Sequence, residues 1–296
     1  MKYVATIIFY NPDESAIKRV ETYCNNFQEV LVIDNSEESN LETALKLKKY
    51  RNCVYHKMNG NSGMSEALNY AFYFAIDKKY DFILTMDQDS IYNDKNIYNM
   101  KEYIENNYDE NIGIYSPNYS KLYYNKKRKK FIEAKPVLRE NEEKYVDFCM
   151  TSGSFINVKA LSKILPLDDY FIAYVDNFLS QKLLEEKYKL LRLGNSYFAQ
   201  QVGAIVNDNL YNRIFRVLHH SDVRYYYMVR NNLFLQSQFK HNYKLRIKNI
   251  IGLTRIILNI FLCEKNKLKK LKASKSGYKD FKRGIKGKVP DKSVVW

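Results

Sequence analysis

Two carboxylates that stand one residue apart give this sequence its clearest chemistry. Asp87 and Asp89 follow directly after the apolar run 82–86, which has the length and composition of a buried strand. In an open α/β sheet, ligands bind beyond the carboxyl ends of the strands. Carboxylate oxygens are hard donors that hold Mg2+ or Mn2+ against a diphosphate. The pair therefore predicts a metal site, with a solvated turn as the alternative for so short a motif.

Strand and helix patterns alternate in the part of the chain that contains the carboxylate pair. Short apolar runs predict strands, and longer segments with apolar residues three and four apart predict helices. The predicted strands are 4–9, 30–33, 53–56 and 82–86, and the predicted helices between them are 13–27, 41–49 and 65–78. This alternation is typical of an α/β fold with a mostly parallel central sheet that is flanked by helices on both faces.

Polar residues also follow the second and third predicted strands. Asp34 has the chemistry to accept a hydrogen bond from the imide N–H of a uracil or thymine ring, and a helix cap is an equally good interpretation. Asn61 and Gly63 belong to an amide-rich turn before a helix, where backbone can approach a ligand and the helix N-terminus favours anionic oxygens. The turn has the pattern of neither a Walker loop nor a dinucleotide fingerprint.

The positive charge of the chain is concentrated near its end. The 296 residues carry a net charge of +15 and are 46% hydrophobic, which is typical of a packed globule. Residues 241–296 hold sixteen Lys and Arg against three Asp and Glu, so residues 1–240 are nearly neutral. We therefore expect a main domain at 1–240 and a basic helical tail at 241–296 that meets an anionic surface. A nucleic-acid binder is disfavoured because the body is neutral and carries no nucleic-acid motif.

The tail combines apolar and basic residues at helical spacing. From Leu245 to Leu262 apolar residues recur every three or four positions, with Arg246, Lys248 and Arg255 between them. The apolar stretch is too short to span a bilayer, so we expect a basic amphipathic helix on an anionic membrane surface. A helix packed on the body and a homodimer contact are the alternatives. Scattered cysteines, and an N-terminal apolar run too short for a signal peptide, favour a cytoplasmic location.

Seven short motifs follow one another along residues 3–235. They are Asn11-Pro12, Asp34-Asn35-Ser36, Asn61-x-Gly63-x-x-x-Ala67-x-Asn69, Asp87-Gln88-Asp89-Ser90, Ser152-Gly153-Ser154, Phe171-Ile172-x-Tyr174-Val175-Asp176 and Tyr226-x-x-x-Arg230-Asn231. Together these motifs resemble bacterial family-2 glycosyltransferases, and within that family the rhamnosyltransferase-like branch. Each motif alone is weak, but the ordered set, with the acidic pair after the fourth strand, is specific.

The resemblance implies a GT-A fold and an inverting transfer of a sugar from a nucleotide-diphosphate donor to a glycan or lipid-linked glycan acceptor. It implies that Asp176 is the base that deprotonates the acceptor hydroxyl, because a nucleotide diphosphate leaves as an anion and needs no general acid. A helix N-cap is the alternative for Asp176. The implied cofactor is Mg2+ or Mn2+, held by Asp87, Asp89 and Gln200.

The resemblance also assigns residues to the two substrates. On the donor side it implies contacts from Asn11, Asp34, Asn61, Gly63, Asn69, Asp87 and Gln88. On the acceptor side it implies contacts from Ser152, Gly153, Tyr174 and Arg230.

The chain departs from the family pattern near the implied base and metal. Ala173 stands where an acidic residue is usual, and Phe178 and Lys182 replace the usual Glu and Arg. Gln200 occupies the position of a metal-binding His, and its carbonyl oxygen suits Mg2+ or Mn2+ but is a weaker, neutral ligand. These departures leave the metal requirement open. His219 or His220 is the candidate substitute, although two adjacent histidines ahead of an aromatic helix are more often surface or packing residues.

The favoured function is the transfer of rhamnose from dTDP-rhamnose to the precursor of a surface polysaccharide such as a capsule. We expect the enzyme to be cytoplasmic and peripheral on the inner face of a bacterial membrane. A UDP-hexose-dependent transferase of the same fold is the main rival. The alternative from another class is a catalytically silent nucleotide-sugar-binding protein, because Ala173 and Gln200 depart from the pattern.

Overall fold

The computed structural model describes residues 1–38, 41–125, 130–133, 135–201 and 219–289. The chain divides into two units, each with its own internal contacts. The first unit comprises Met1–Leu122, Glu133–Leu167 and Leu179–Gln201. The second comprises Tyr123–Ile132, Asp168–Phe178 and Val202–Trp296, of which the ranges above are described.

The first four strands run parallel, and helices connect them. The strands are β1 (Tyr3–Phe9), β2 (Glu29–Asp34), β3 (Cys53–Lys57) and β4 (Phe82–Asp87), and the helices between them are α1 (Glu14–Asn26), α2 (Leu41–Leu47) and α3 (Met64–Asp77). They lie in the order β3-β2-β1-β4. Each of these elements confirms a segment predicted from the sequence. The prediction succeeds because a parallel strand buried on both faces appears as a continuous apolar run.

The rest of the sheet is mixed. Its strands are β5 (Ser90–Ile91), β6 (Ile112–Asn125), β7 (Lys130–Glu133), β8 (Glu143–Tyr145), β9 (Phe155–Asn157) and β10 (Lys189–Gln201). Strand β9 pairs antiparallel with β4 and with β6, whereas β10 runs parallel to β6 and antiparallel to β5 and β8. The mixed part of the sheet therefore brings two later strands close to β4. Strand β9 pairs with β4 itself, and β10 pairs with β5, which follows directly after β4.

Helices cover the sheet through apolar faces set by their sequence. Asp13 caps α1 by accepting a hydrogen bond from the backbone N–H of Ala16, and Ile17 and Val20 on the inner face are buried. The apolar residues on the inner face of α3 are buried: Ala67, Leu68, Ala71, Phe72 and Ala75. The helices after the parallel half are α4 (Asp94–Asn106), α5 (Val158–Leu161) and α6 (Val175–Glu185).

The described part of the second unit is built mainly from three helices near the end of the chain. They are α7 (Asp222–Gln238), α8 (Tyr243–Cys263) and α9 (Lys267–Lys282). Helix α9 packs so closely on α7 that a Cβ at Gly277 would lie 2.4 Å from the carbonyl oxygen of Tyr226. Within α8, Ile256 and Ile260 are buried against Tyr225 of α7.

The tail predicted at 241–296 is helical over most of its described length, and residues 290–296 lie outside the described part of the chain. It shares its unit with α7 and with residues 168–178. Helix α9 packs closely on α7 across Gly277. The boundary expected at residue 240 stays a prediction. Among the described helices, each is too short or too polar to cross a bilayer.

Candidate active site

The predicted carboxylate pair lies at the carboxyl end of β4. Asp87 is the last residue of that strand and is partly buried, whereas Asp89 is exposed in the turn that leads to β5. The Asp87 backbone N–H donates to Ser152 Oγ at 3.1 Å, and Ser152 Oγ donates to Ser90 Oγ at 3.0 Å. Ser152 thus fixes both ends of the acidic turn, a role that the motif itself did not reveal.

Gln88 ties the acidic turn to the loop after β1. Its side-chain amide accepts from the Tyr10 backbone N–H at 2.8 Å and donates to the Tyr10 carbonyl at 3.1 Å. Its own backbone carbonyl accepts from Arg19 Nε at 2.8 Å. The residue after Tyr10, Asn11, has φ +46° and donates its backbone N–H to Ser36 Oγ at 2.7 Å. Gln88 and Asn11, both predicted donor contacts, therefore organise three strand-end loops.

Asp34 is fully buried at the end of β2, with both carboxylate oxygens in use. Oδ1 accepts from the Ser36 N–H at 3.0 Å and from Ser36 Oγ at 2.5 Å, and Oδ2 accepts from the Tyr55 hydroxyl at 2.6 Å. Burial, and then the Asp34 carboxylate, raises the pKa of Tyr55 well above its usual value, so this hydroxyl stays a donor. Asp34 therefore shapes the loop around Ser36, and the predicted base contact remains a prediction.

Asn35 organises the turn that contains Asn61 and Gly63. Its Oδ1 accepts from the Ser62 N–H at 2.9 Å, and its Nδ2 donates to the Gly63 carbonyl at 3.1 Å. Asn61 Oδ1 accepts from the Gly63 N–H at 3.1 Å. Gly63 is the N-cap of α3 with φ +89° and ψ 169°, a conformation almost restricted to glycine. Asn35 belongs to the motif Asp34-Asn35-Ser36 but has no predicted role, and its position directly after a strand was the available signal.

The turn at Ser152–Gly153–Ser154 is buried beside β4. The Gly153 N–H donates to the Thr85 carbonyl at 2.8 Å, and the Thr85 N–H donates to the Ser154 carbonyl at 3.2 Å. Gly153 has φ +82°, and a Cβ there would lie 2.8 Å from the ring of Phe198. Only glycine fits this position, and its hydrogen bonds to Thr85 hold the turn beside the strand that ends at Asp87.

Asn69, another predicted donor contact, forms a two-way hydrogen-bonded pair with the backbone of Leu167. Its Nδ2 donates to the Leu167 carbonyl at 3.2 Å, and its Oδ1 accepts from the Leu167 N–H at 2.8 Å. The side chain is buried. The observed partners give Asn69 a structural role in α3 within the first unit.

Asp176 lies in the second unit, in the first turn of α6, and its side chain is partly exposed. The helix begins at Val175, so Asp176 stands inside the first turn and not before it, where the N-cap alternative placed it. A carboxylate at this end of a helix is favoured by the helix dipole. Backbone ahead of the helix is left-handed at Phe171, Ala173 and Tyr174, with φ of 54°, 64° and 66°.

Asn231 holds this left-handed segment. Its Nδ2 donates to the carbonyls of Tyr170, Ile172 and Ala173 at 2.6, 2.8 and 3.2 Å, and the residue is 1% exposed. The Tyr174 hydroxyl accepts from Asn232 Nδ2 at 2.7 Å, and burial raises the pKa of Tyr174. Two adjacent amides of α7 thus fix the chain just before Asp176.

Arg230 is completely buried within the second unit. Its guanidinium donates to the Gly287 carbonyl at 2.8 Å, to the Tyr226 hydroxyl at 3.3 Å and to Asn231 Oδ1 at 3.0 Å. It also lies 4.9 Å from the ring centroid of Tyr227. These contacts orient the Asn231 amide. The predicted acceptor contact of Arg230 remains a prediction, and its observed hydrogen-bond partners all belong to the second unit.

The carboxylate oxygens of Asp87 and Asp89 suit a divalent ion that is bound mainly by substrate and water. The described residues contain no cluster of three His, Cys, Asp or Glu side chains that would enclose a metal. Mg2+ typically binds one or two carboxylates and completes its shell with phosphate oxygens and water, which Asp87 and Asp89 satisfy. The backbone of Gln200 lies opposite Ser90 in the β10–β5 pair.

The two histidines that were candidate metal ligands belong to another cluster, in the second unit. His219 Nδ1 lies 3.3 Å from the buried carboxylate of Glu264, which also accepts from the Tyr225 hydroxyl. Burial, followed by the charge of Arg224, lowers the pKa of His220 to about 4. The observed partner of His219, Glu264, thus belongs to the tail.

Comparison with known proteins identifies a family and solved structures to which the chain is similar. Residues 5–165 match the family model described as glycosyl transferase family 2. No curated protein matches the chain. The structure of S. aureus TarS 1-349 in complex with UDP-GlcNAc is similar, with a TM-score of 0.52 and 12% identity over 95% of this chain and 73% of that chain. The structure of S. aureus TarS matches with a TM-score of 0.52 and 13% identity over 94% of this chain and 43% of that chain.

Proposed function

The chain belongs to glycosyl transferase family 2 and has the GT-A fold, and from this premise we propose that it is an inverting rhamnosyltransferase. The donor is dTDP-rhamnose, and the acceptor is a glycan or lipid-linked glycan of a bacterial surface polysaccharide. The observation that carries the proposal is the acidic pair at the end of β4, held in place by Ser152 and Gln88.

The acidic pair is proposed to bind the donor diphosphate through Mg2+ or Mn2+. A bound ion would neutralise the charge that develops on the departing diphosphate. The backbone of Asp87 is held at the end of β4, because its N–H is bonded to Ser152 Oγ. Asp89, which is exposed, has room to approach an ion and its water shell. The carbonyl oxygen of Gln200 is the proposed third ligand.

The donor nucleotide is proposed to bind at the strand-end loops of the parallel half. The Asn61–Gly63 turn leads into the N-terminus of α3, where the N-cap residue is Gly63 and supplies no side-chain cap. Backbone N–H groups at such an end attract phosphate oxygens. Asp34 and Asn11 shape the adjoining loop. The proposed contact of Asp34 with the thymine imide uses lone pairs that remain on its oxygens.

Asp176 is the proposed base. It takes the proton of the acceptor hydroxyl as that oxygen attacks the anomeric carbon on the face opposite the diphosphate, which inverts the configuration. The bond from the anomeric carbon to the diphosphate breaks, and the electron pair leaves with the diphosphate. Ser152, Gly153, Tyr174 and Arg230 are the proposed acceptor-side residues, and the last two act through the segment that carries Asp176.

A UDP-hexose is the second candidate donor, and one comparison favours it. The structure of TarS that resembles this chain is a complex with UDP-GlcNAc. A catalytically silent nucleotide-sugar-binding protein is the remaining class, favoured by Ala173 in place of an acidic residue.

The proposed place of action is the cytoplasmic face of a bacterial membrane, with the enzyme bound peripherally. The concentration of positive charge in residues 241–296 supports an anionic membrane surface as partner. A lipid-linked acceptor would then be held on the same surface as the enzyme. A homodimer remains the alternative use of the tail.

A donor panel tests the proposed activity. The purified chain is incubated with dTDP-rhamnose, UDP-glucose and UDP-GlcNAc, each with Mg2+, with Mn2+ and with EDTA, and nucleotide release is measured. Release from dTDP-rhamnose alone supports the proposal, and release from a UDP-sugar establishes the rival. Binding without release from any donor, also in the presence of a glycan acceptor, would support the silent class. The Asp176→Asn variant, with donor binding retained and release lost, is the control for contaminating hydrolases.

A further inference from the structure

Helix α8 has an inner and an outer face. On the inner face Leu245, Ile256 and Ile260 are buried, and the last two pack against Tyr225 and Val229 of α7. Ile256 and Ile260 are four positions apart, and Leu245 lies eleven positions before Ile256, as expected for one side of a helix. The inner face therefore anchors α8 within the second unit.

The outer face of α8 is apolar and exposed to solvent. Its side chains are between 45% and 62% exposed and recur at helical spacing. They are Ile247, Ile250, Ile251, Leu258, Phe261 and Leu262. In a helix of about 100° per residue this set lies largely on the side away from Ile256 and Ile260. A contiguous exposed patch of this kind marks an interaction surface.

Basic residues border the outer face. Lys244, Arg246, Lys248 and Arg255 are all exposed, and the 21-residue helix contains no Asp or Glu. By helical geometry, Lys248 and Arg255 project about 90° from the apolar stripe on one side, and Arg246 projects a similar angle on the other. Just beyond the helix, Leu268 is 76% exposed.

We propose that the outer face of α8 lies in the interfacial layer of an anionic phospholipid membrane. Apolar side chains enter the boundary between headgroups and acyl chains, and the bordering cations meet lipid phosphates. A helix of 21 residues is about 31 Å long and lies flat in this layer. The inference names the membrane-binding surface of the proposed enzyme, and only its biological setting rests on the proposed function.

Charge favours lipid over a second copy of the chain as the occupant. Two outer faces packed together would place four cations of one helix beside four of the other, without a carboxylate in either helix. Like charges confined in this way oppose association. Anionic headgroups supply the opposite charge, and the acyl boundary covers the apolar stripe in the same encounter.

Deleting the tail would not test this inference, because its residues complete the second unit. Glu264 is buried and bonded to Tyr225, and Gly277 contacts the α7 backbone. Substitutions confined to the outer face are cleaner. The test variant is Ile250→Gln, Leu258→Gln and Phe261→Gln together. The matched control is Leu41→Gln with Leu45→Gln, two side chains on α2 that are 75% and 61% exposed.

The full chain is mixed with vesicles of phosphatidylcholine, alone or with roughly 30% phosphatidylglycerol, and the pelleted fraction is measured as salt is raised. We expect the wild type and the α2 control to bind acidic vesicles, and the outer-face variant to bind at least about tenfold more weakly. Equal binding of variant and wild type, or no binding of the wild type, would overturn the inference.

Light scattering and nucleotide release, measured in parallel, distinguish lipid binding from self-association and from loss of activity. If the wild type is a dimer and the outer-face variant is a monomer, the face belongs to a contact with a second copy, and the lipid inference is overturned. Nucleotide release in solution reports the proposed activity, which the outer-face variant should retain. Lost vesicle binding with retained release supports the inference, whereas absent release from the wild type refutes the activity alone. If the triple variant does not fold, Ile247→Gln with Ile251→Gln replaces it.

Discussion

The side-chain amide of Asn231 donates a hydrogen bond to the carbonyl of Ala173, a residue with left-handed backbone at φ +64°. The same amide nitrogen also bonds to the carbonyls of Tyr170 and Ile172. Left-handed backbone costs a residue with a Cβ about 1 kcal/mol or more, and such strain persists only where surrounding contacts impose it. Asn231 supplies these contacts to the segment that ends at Ala173, three residues before Asp176.

Asn231→Ala should loosen the segment that carries the proposed base. The substitution leaves three carbonyls without this donor, so we expect the free energy of unfolding to fall by about 2 kcal/mol. Because the proposed donor residues lie in the first unit, kcat should fall while the KM for the donor changes little. Steady-state kinetics and urea unfolding measure the two effects. Parallel loss of donor affinity and kcat would argue for general unfolding, not for positioning of Asp176.

Ala173→Gly should stabilise the protein, because glycine adopts left-handed backbone without the steric cost of a Cβ. We expect a gain of up to about 1 kcal/mol in the free energy of unfolding, which thermal denaturation detects as a rise of roughly 2 °C in Tm. Ala75→Gly is the control, since Ala75 lies buried within α3 and should lose stability when replaced. A fall in Tm for both variants would mean that the strain at Ala173 is absent in solution.

Asp176→Asn keeps the size of the side chain and removes the proton acceptor. Transfer should fall by roughly a hundredfold or more, while donor binding stays nearly unchanged. The measurement pairs calorimetric titration of the donor with a transfer assay. Near-normal transfer by this variant would exclude Asp176 as the base.

Asp89→Ala should weaken donor binding more with Mn2+ present than with EDTA, because only the part of the affinity that passes through the ion is lost. Asp77→Ala removes a carboxylate at the end of α3 and serves as the control. Donor titrations with the wild type and each of the two variants, with Mn2+ and with EDTA, give the six affinities required. Wild-type activity that persists undiminished in EDTA would mean that the pair works without a metal, consistent with Gln200 in place of the usual His.

The sequence predicted the parallel half of the sheet because its strands are continuous apolar runs with local boundaries. It did not predict β8, which is three residues long with every residue exposed, so no apolar pattern marks it. The second unit depends on contacts such as that between Asn231 and Tyr170, 61 positions apart. Periodicity along the chain carries no information about partners at that distance.

The same limit applies to the hydrogen-bond partners of the site residues, whose roles toward the substrates stay predictions. Gln88, a predicted donor contact, bonds to Tyr10, 78 positions away. Asn69 bonds to Leu167, 98 positions away, and Arg230 bonds to Gly287, 57 positions away. A motif shows that polar residues are placed at a strand end or helix end. Only the tertiary structure shows which of them face inward and hold the others.

Two glycines inside helices of the second unit allow a paired test of how the tail packs. A Cβ at Gly277 of α9 would lie 2.4 Å from the Tyr226 carbonyl oxygen and 3.3 Å from the Arg230 backbone nitrogen. Backbone atoms of a packed helix cannot move aside at low cost, so Gly277→Ala should destabilise the protein by about 2 kcal/mol or more. At Gly252 of α8 the nearest atom would be 3.8 Å away.

Gly252→Ala should therefore stabilise the protein by up to about 1 kcal/mol, through the helix propensity of alanine. Urea unfolding of both variants gives the comparison, and transfer assays add a second readout. Because Gly277 contacts the turn of α7 that carries Tyr226 and Arg230, its substitution should also disturb Asn231 and lower kcat. Changes of equal sign and size in the free energy of unfolding of the two variants would mean that α9 does not pack on α7. The tail would then be an appendage separate from the segment before Asp176.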